Sequence, residues 1–157
     1  MATFTTSNRS VATVTAEVHE VWAVLTDPEL LARLTPFLHW VTEHGEHWVW
    51  QLTKVPVLGT SFSFTFRELM DFDEPHRIDF THDPAPGAEE TAGVVGFYAL
   101  QEHDRGTHLE TSMTITVDLP FPGLVRPAVT AAMRGVIGLM GQRFGHNLLH
   151  HLGAHNA

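Results

Sequence analysis

The chain has 157 residues, 43% of them apolar and 17% charged, with a formal net charge of −9 when its 12 histidines are neutral. That length suits a single domain spanning residues 1–157, large enough to bury roughly 70% of the surface its unfolded chain exposes. The negative charge argues against nucleic acid as a partner, because phosphate binding needs a positive footprint. Acidification through the histidine range, about pH 6.5, would remove much of that charge. Cysteine is absent, which excludes disulfides, thiol nucleophiles and cysteine-held zinc or iron–sulfur centres. No apolar run approaches the ~20 residues of a membrane span, and the start, MATFTTSNRS, has no apolar leader core. A soluble, cytoplasmic protein without stable membrane insertion is expected.

In chain order, SVATVTA (Ser10–Ala16) is β-branched and alternating, the pattern of a strand. Val18, Val21, Trp22 and Leu25 then fall at i, i+3, i+4 and i+7, one apolar stripe of a short helix. A second helix starts at DPELLARL: Asp27 can cap it, Pro28 fits the first helical position, and Glu29 suits the positive end of its dipole. Thr35-Pro36 stops it, since a residue before proline avoids the α region. Six strands follow: FLHWVTEH, HWVWQLTKV, LGTSFSFTFRELMDFD, HRIDFTHD, TAGVVGFYALQEH and THLETSMTITVDL. Short turns at Gly45-Glu46 and Asp104-Arg105-Gly106 imply an antiparallel meander with one dry face and one wet. After PFPG, Leu124 to about Leu152 reads as one long helix, with Pro127 as the alternative start. Its apolar face carries Val129, Met133, Val136, Met140, Phe144 and Leu148.

This order, with Val21-Trp22 and Asp27-Pro28 near the front and GTHLETSMTI before the last helix, resembles the SRPBCC or START-like superfamily. The superfamily includes polyketide cyclase/dehydrase proteins, lipid-transfer domains and birch-pollen-allergen-like proteins. The resemblance implies an α+β helix-grip fold: a curved seven-stranded antiparallel sheet around a long C-terminal helix, with two short helices after the first strand. It also implies a cavity between sheet and helix, filled in many relatives by a small hydrophobic molecule. Entry there would need motion of the loop DPAPGAEE and of the start of the last helix. These are scaffold motifs, and fold does not determine function.

Period-two alternation assigns the inward faces. SFSFTFRE gives Phe62, Phe64 and Phe66, extending to Glu68 and Met70. The neighbours give Trp48, Trp50 and Leu52, then Ile78, Phe80 and His82, then Tyr98 and Leu100. The last strand gives Leu109, Thr111, Met113, Ile115 and Val117, and the long helix adds Met133, Val136 and Met140. The expected ligand contacts are Trp50, Phe62, Phe64, Phe66, Phe80, His82, Tyr98, Thr111, Met113, Ile115, Met133, Val136 and Met140. The same residues would also serve as a solid core. Abundant phenylalanine and methionine suit adaptable apolar binding. Gly135, Gly138, Gly141 and Gly145 each cost the helix up to ~1 kcal/mol, so close packing against another backbone, or bending over a pocket, is expected there.

The chemistry allowed on the inner face is limited. A buried Glu68 beside His82 would suit proton transfer in a cyclisation or dehydration, but strand ends also make solvated rims. No catalytic residue is assigned on this basis. Arg67 and Arg77 fall on the outer face, unlike the arginine-containing pockets that the resemblance associates with polyketide aromatase/cyclases. His146 and His150 stand at i, i+4, with His151 and His155 beyond, and HGEH (His44–His47) falls in a turn. Without a companion glutamate these read as solvated histidines and not as a metal site, and no cofactor is expected. The leading reading is non-catalytic binding or transport of a small hydrophobic molecule. The alternatives are a polyketide cyclase/dehydrase-type enzyme and a protein-interaction module with a filled core.

Overall fold

The computed structural model describes residues 2–157. Strand β1 covers Ala2–Val14, helix α1 Val18–Leu25 and helix α2 Pro28–Leu34. Strands β2 (Leu38–His44), β3 (His47–Val57), β4 (Thr60–Asp73), β5 (Arg77–His82), β6 (Ala92–His103) and β7 (Gly106–Leu119) follow. A single 3-10 turn, Gly123–Val125, leads into helix α3, Arg126–Leu152. The seven strands form one antiparallel sheet in the order β1-β7-β6-β5-β4-β3-β2, so β1 joins the meander at its far edge through β7. This is the helix-grip architecture expected from the sequence. The first strand is longer than its β-branched stretch: Ala2–Ser10 pair with Leu119–Thr111, the threonines and serine offering hydroxyls to Thr114, Thr116 and Asp118 across the ladder.

The two short helices close one end of the sheet. α1 buries Val18, Val21, Trp22, Val24 and Leu25, and Asp27 caps α2 by accepting from the Leu30 amide at 3.1 Å. Helix α3 is fastened at its two ends. Val129 and Met133 are buried near its start, where Arg126 donates to the Thr3 carbonyl at 2.7 Å. At the far end Leu148 is buried and Asn147 Nδ2 donates to the Leu34 carbonyl at 2.9 Å. Gly153, at φ 63, terminates the helix in the left-handed conformation that glycine adopts without penalty. The tail beyond returns to β1, with Thr15 N donating to His155 O and Ala157 N to Thr13 O. Between those fastenings, Arg134 to Asn147 includes no fully buried residue.

The sheet's inner face follows the alternation with one interruption. In β3 the register shifts between Leu52 and Val55, and Lys54 takes a positive φ of 55. A bulge of this kind re-aims the side chains that follow it. The inward series therefore runs Trp48, Trp50, Leu52, then Val55 and Val57. In β4 Phe64, Phe66, Glu68 and Met70 are buried, while Ser61, Ser63 and Thr65 are exposed.

Two glycines show how differently the scaffold tolerates change. Gly106 opens β7 at φ 138, and a Cβ there would overlap the Val14 carbonyl oxygen. Gly45, at φ 64, faces open space. Gly106→Ala is expected to cost more than about 2 kcal/mol in urea unfolding, and Gly45→Ala about 1 kcal/mol. Equal costs at the two positions would contradict this packing.

Candidate functional site

Because α3 touches the sheet mainly at its ends, a cavity of about 1060 Å³ remains between them. Its sheet wall is mostly apolar: Trp50 and Leu52 from β3, Phe64 and Phe66 from β4, Phe80 from β5, and Met113, Ile115 and Val117 from β7. Tyr98 of β6 and Thr111 of β7 add hydroxyls, and α3 contributes Met133, Val136 and Met140. The polar residues along it, half-buried Asn8 and exposed Ser10 of β1 with exposed Gln142, Arg143 and His146 of α3, place the mouth between β1 and the middle of α3.

The aromatic rings pack in separate groups. Trp50 stacks on Phe66, with centroids 6.5 Å apart and planes 8° from parallel, and also meets Trp48 at 5.9 Å. Phe80 and Tyr98 meet at 5.3 Å across the β5–β6 boundary. Large rigid rings fix a wall without filling the space in front of it, since each can turn about only two side-chain bonds.

Polar atoms on this wall are few and conspicuous. Glu68 is only 3% exposed, its Oε2 has no hydrogen-bond partner, and burial pushes its carboxyl well above the usual range. Trp50 Nε1 is likewise buried without a partner. Burial, and secondarily the charge of Glu68, pushes the Tyr98 hydroxyl above its ordinary range. Buried polar atoms are usually satisfied, so these two, like Thr6 Oγ1 away from the cavity, depart from the usual pattern.

Two sequence expectations fail here. Phe62 does not line the cavity: it lies nearer the Leu58-Gly59 turn and packs against Phe64 and, edge-on at 5.9 Å, against Phe121. His82 does not line it either. It stands directly across from Glu68 in the β4–β5 register, yet its Nε2 lies 2.7 Å from Glu90 Oε1. The β5–β6 pairing runs only from Arg77↔Ala99 to Phe80↔Gly96, and the imidazole occupies the space a Cβ on Gly93 would need. A carboxylate eight residues downstream takes the histidine, and alternation cannot foresee that.

The loop between β5 and β6 is held at both ends. Glu90 accepts from the Arg67 amide at 3.1 Å, and Arg67 Nε donates to the Asp83 carbonyl at 2.7 Å. His47 Nε2 lies 2.8 Å from Asp83 Oδ2, and that contact holds the Asp83 carboxyl below its usual range. Such fastening counts against the expected entry route through DPAPGAEE. Arg67 serves this loop and Arg77 pairs with Asp79 beneath Phe97, so neither reaches the cavity. Of the two readings of the α3 glycines, close packing against another backbone fails, because a Cβ on any of the four would meet nothing within 4 Å. Gly141 and Gly145 face the cavity itself and keep it open. Among the described residues, the one group of three or more whose potential metal-ligand atoms lie within 4.8 Å of one another is Glu17, His19 and Glu20, away from the cavity, with Glu17 and His19 exposed and Glu20 half-buried.

A buried acid whose folded-state pKa is raised costs no stability at low pH, where both states hold the proton. As pH rises past the ordinary glutamate range, the unfolded chain ionises while the folded chain does not, and stability falls. Glu68→Gln removes this loss. Its melting temperature should exceed that of the unsubstituted protein at roughly pH 7 and converge with it below about pH 4. A difference independent of pH would show that the carboxyl is solvated.

Comparison with known proteins adds the family. No curated protein sequence matches. Among solved structures, a conserved protein from Geobacillus kaustophilus has a TM-score of 0.65 at 17% identity, covering 99% of each chain. The Zhui aromatase/cyclase from a Streptomyces species scores 0.65 at 15% identity, covering 97% of this chain and 94% of its own. A START superfamily protein from Mycobacterium smegmatis scores 0.64 at 11% identity, over 95% and 97%. At these identities the similarity is one of fold. No helix among the described residues is long and apolar enough to cross a membrane. The model of the family described as polyketide cyclase/dehydrase and lipid transport matches residues 1–148, and the chain belongs to that family.

Proposed function

We propose that this protein binds and carries a small hydrophobic molecule in the space between α3 and the sheet, without transforming it. The observation that carries this reading is the cavity of about 1060 Å³ with its largely apolar wall. Ligand pockets span roughly 300–1,000 Å³, so a lipid-sized or polycyclic guest is the right scale. Affinity would come from apolar area removed from water, at about 25 cal/mol per Å² before the costs of association.

The non-catalytic half of the proposal rests on what surrounds Glu68. An acid–base pair on this wall would need a base beside Glu68, and the histidine opposite it in the ladder, His82, is engaged by Glu90 instead. The outward arginines leave this wall without a cation to steady a developing enolate. Expected ligand contacts are therefore the residues that line the cavity, with Glu68, Trp50 and Tyr98 fixing orientation.

Gly145→Leu separates this reading from a filled-core module. Leucine is the better helix former by up to about 1 kcal/mol, and the added side chain would stand in open space. The variant should melt at or above the original temperature while its affinity for aminoanthracene, read by fluorescence, drops about tenfold or more. Undiminished affinity in a stable variant would place binding elsewhere. A protein that never takes up the dye would favour the interaction module.

A further inference from the structure

The orphaned atoms on the cavity wall restrict what the guest can be, given that the cavity is a binding site. Trp50 lies opposite Phe66 in the β3–β4 ladder, and Glu68 is two residues further along β4 on the same face. Diagonal neighbours of this kind are spaced about 7–8 Å apart, close enough for long side chains on one face to meet. Neither Trp50 Nε1 nor Glu68 Oε2 has a partner within the protein. The indole can only donate.

We propose that Trp50 and Glu68 act as a specificity pair selecting a hydrophobic ligand whose buried end carries an uncharged oxygen, a ketone or hydroxyl, over a bare hydrocarbon or a carboxylate. The physical reasons are separate for each competitor. A hydrocarbon would leave both buried polar atoms without a hydrogen bond. A carboxylate would be buried on a wall whose nearest arginines, Arg67 and Arg77, are committed to Asp83 and Asp79 on the other face. It would also stand beside another carboxyl group, so the two could not both ionise cheaply. An uncharged oxygen accepts from the indole N–H and from the protonated Glu68 hydroxyl, and it carries no charge to desolvate. The cations that do face the cavity, Arg143 and His146, lie on exposed positions of α3 at its mouth.

The test uses three ligands with one ring system, acetylnaphthalene, ethylnaphthalene and naphthoate, displacing aminoanthracene near neutral pH. Acetylnaphthalene should bind about tenfold more tightly than ethylnaphthalene, the factor expected of one net hydrogen bond. Naphthoate should bind no more tightly than ethylnaphthalene. Glu68→Leu should erase the preference for the ketone by weakening acetylnaphthalene alone, and Trp50→Phe should reduce it severalfold. Glu68→Gln, which keeps a donor at the same place, should recover most of what Glu68→Leu loses, a result that a merely structural role for Glu68 would not give. Equal affinity for the three ligands, or a preference for naphthoate, overturns the proposal while leaving the cavity a binding site. Failure of aminoanthracene to bind at all overturns both.

Discussion

The structure depends on how one helix is held over a curved sheet. At 27 residues and 1.5 Å rise, α3 is about 40 Å long. It is fixed near its start by Val129, Met133 and the Arg126–Thr3 bond, and near its end by Leu148 and the Asn147–Leu34 bond. A rigid rod fastened at both ends cannot follow the curvature of the sheet beneath it. The span between is bridged by Val136 and Met140, which do not close it, and at Gly141 and Gly145 nothing projects. The cavity is thus a consequence of where the anchors lie.

Much of this was legible in the residues. Strict alternation in SFSFTFRE assigned Phe64, Phe66 and Glu68 to the inner face, and the stripe on α3 named the residues that look toward them. Alternation fails where the chain leaves the regular ladder. The bulge at Lys54 moves the inward series of β3 by one residue, and His82 sits where β5 and β6 have already diverged. Periodicity also cannot separate a filled core from a hollow one, because both need the same dry face. The helix glycines carried the missing signal: a tolerated cost in helix propensity at Gly141 and Gly145 corresponds to space, and not to a close neighbour.

The chemistry of the wall follows from the same arrangement. A sheet that commits Arg67, His47 and Asp83 to fastening a loop, and His82 to Glu90, keeps its charged groups out of the cavity. On the sheet wall this leaves the Tyr98 and Thr111 hydroxyls and two buried atoms without a partner, a Glu68 carboxyl oxygen and the Trp50 indole nitrogen. Such atoms are costly to leave unmet, which makes them informative about the guest even though apolar surface supplies most of the affinity. The family's description spans both cyclases and lipid transport, and a shared scaffold does not by itself decide between them.

The central claim is that the middle of α3 covers an open, ligand-accessible cavity, and amide hydrogen exchange with and without aminoanthracene tests it most directly. The account predicts slower exchange on binding in peptides from the middle of α3 and from the inner strands β3, β4 and β7, with little change in α1 or the Asp83–Glu90 loop. Unchanged exchange across α3 despite saturable binding, or protection confined to another surface, would contradict it.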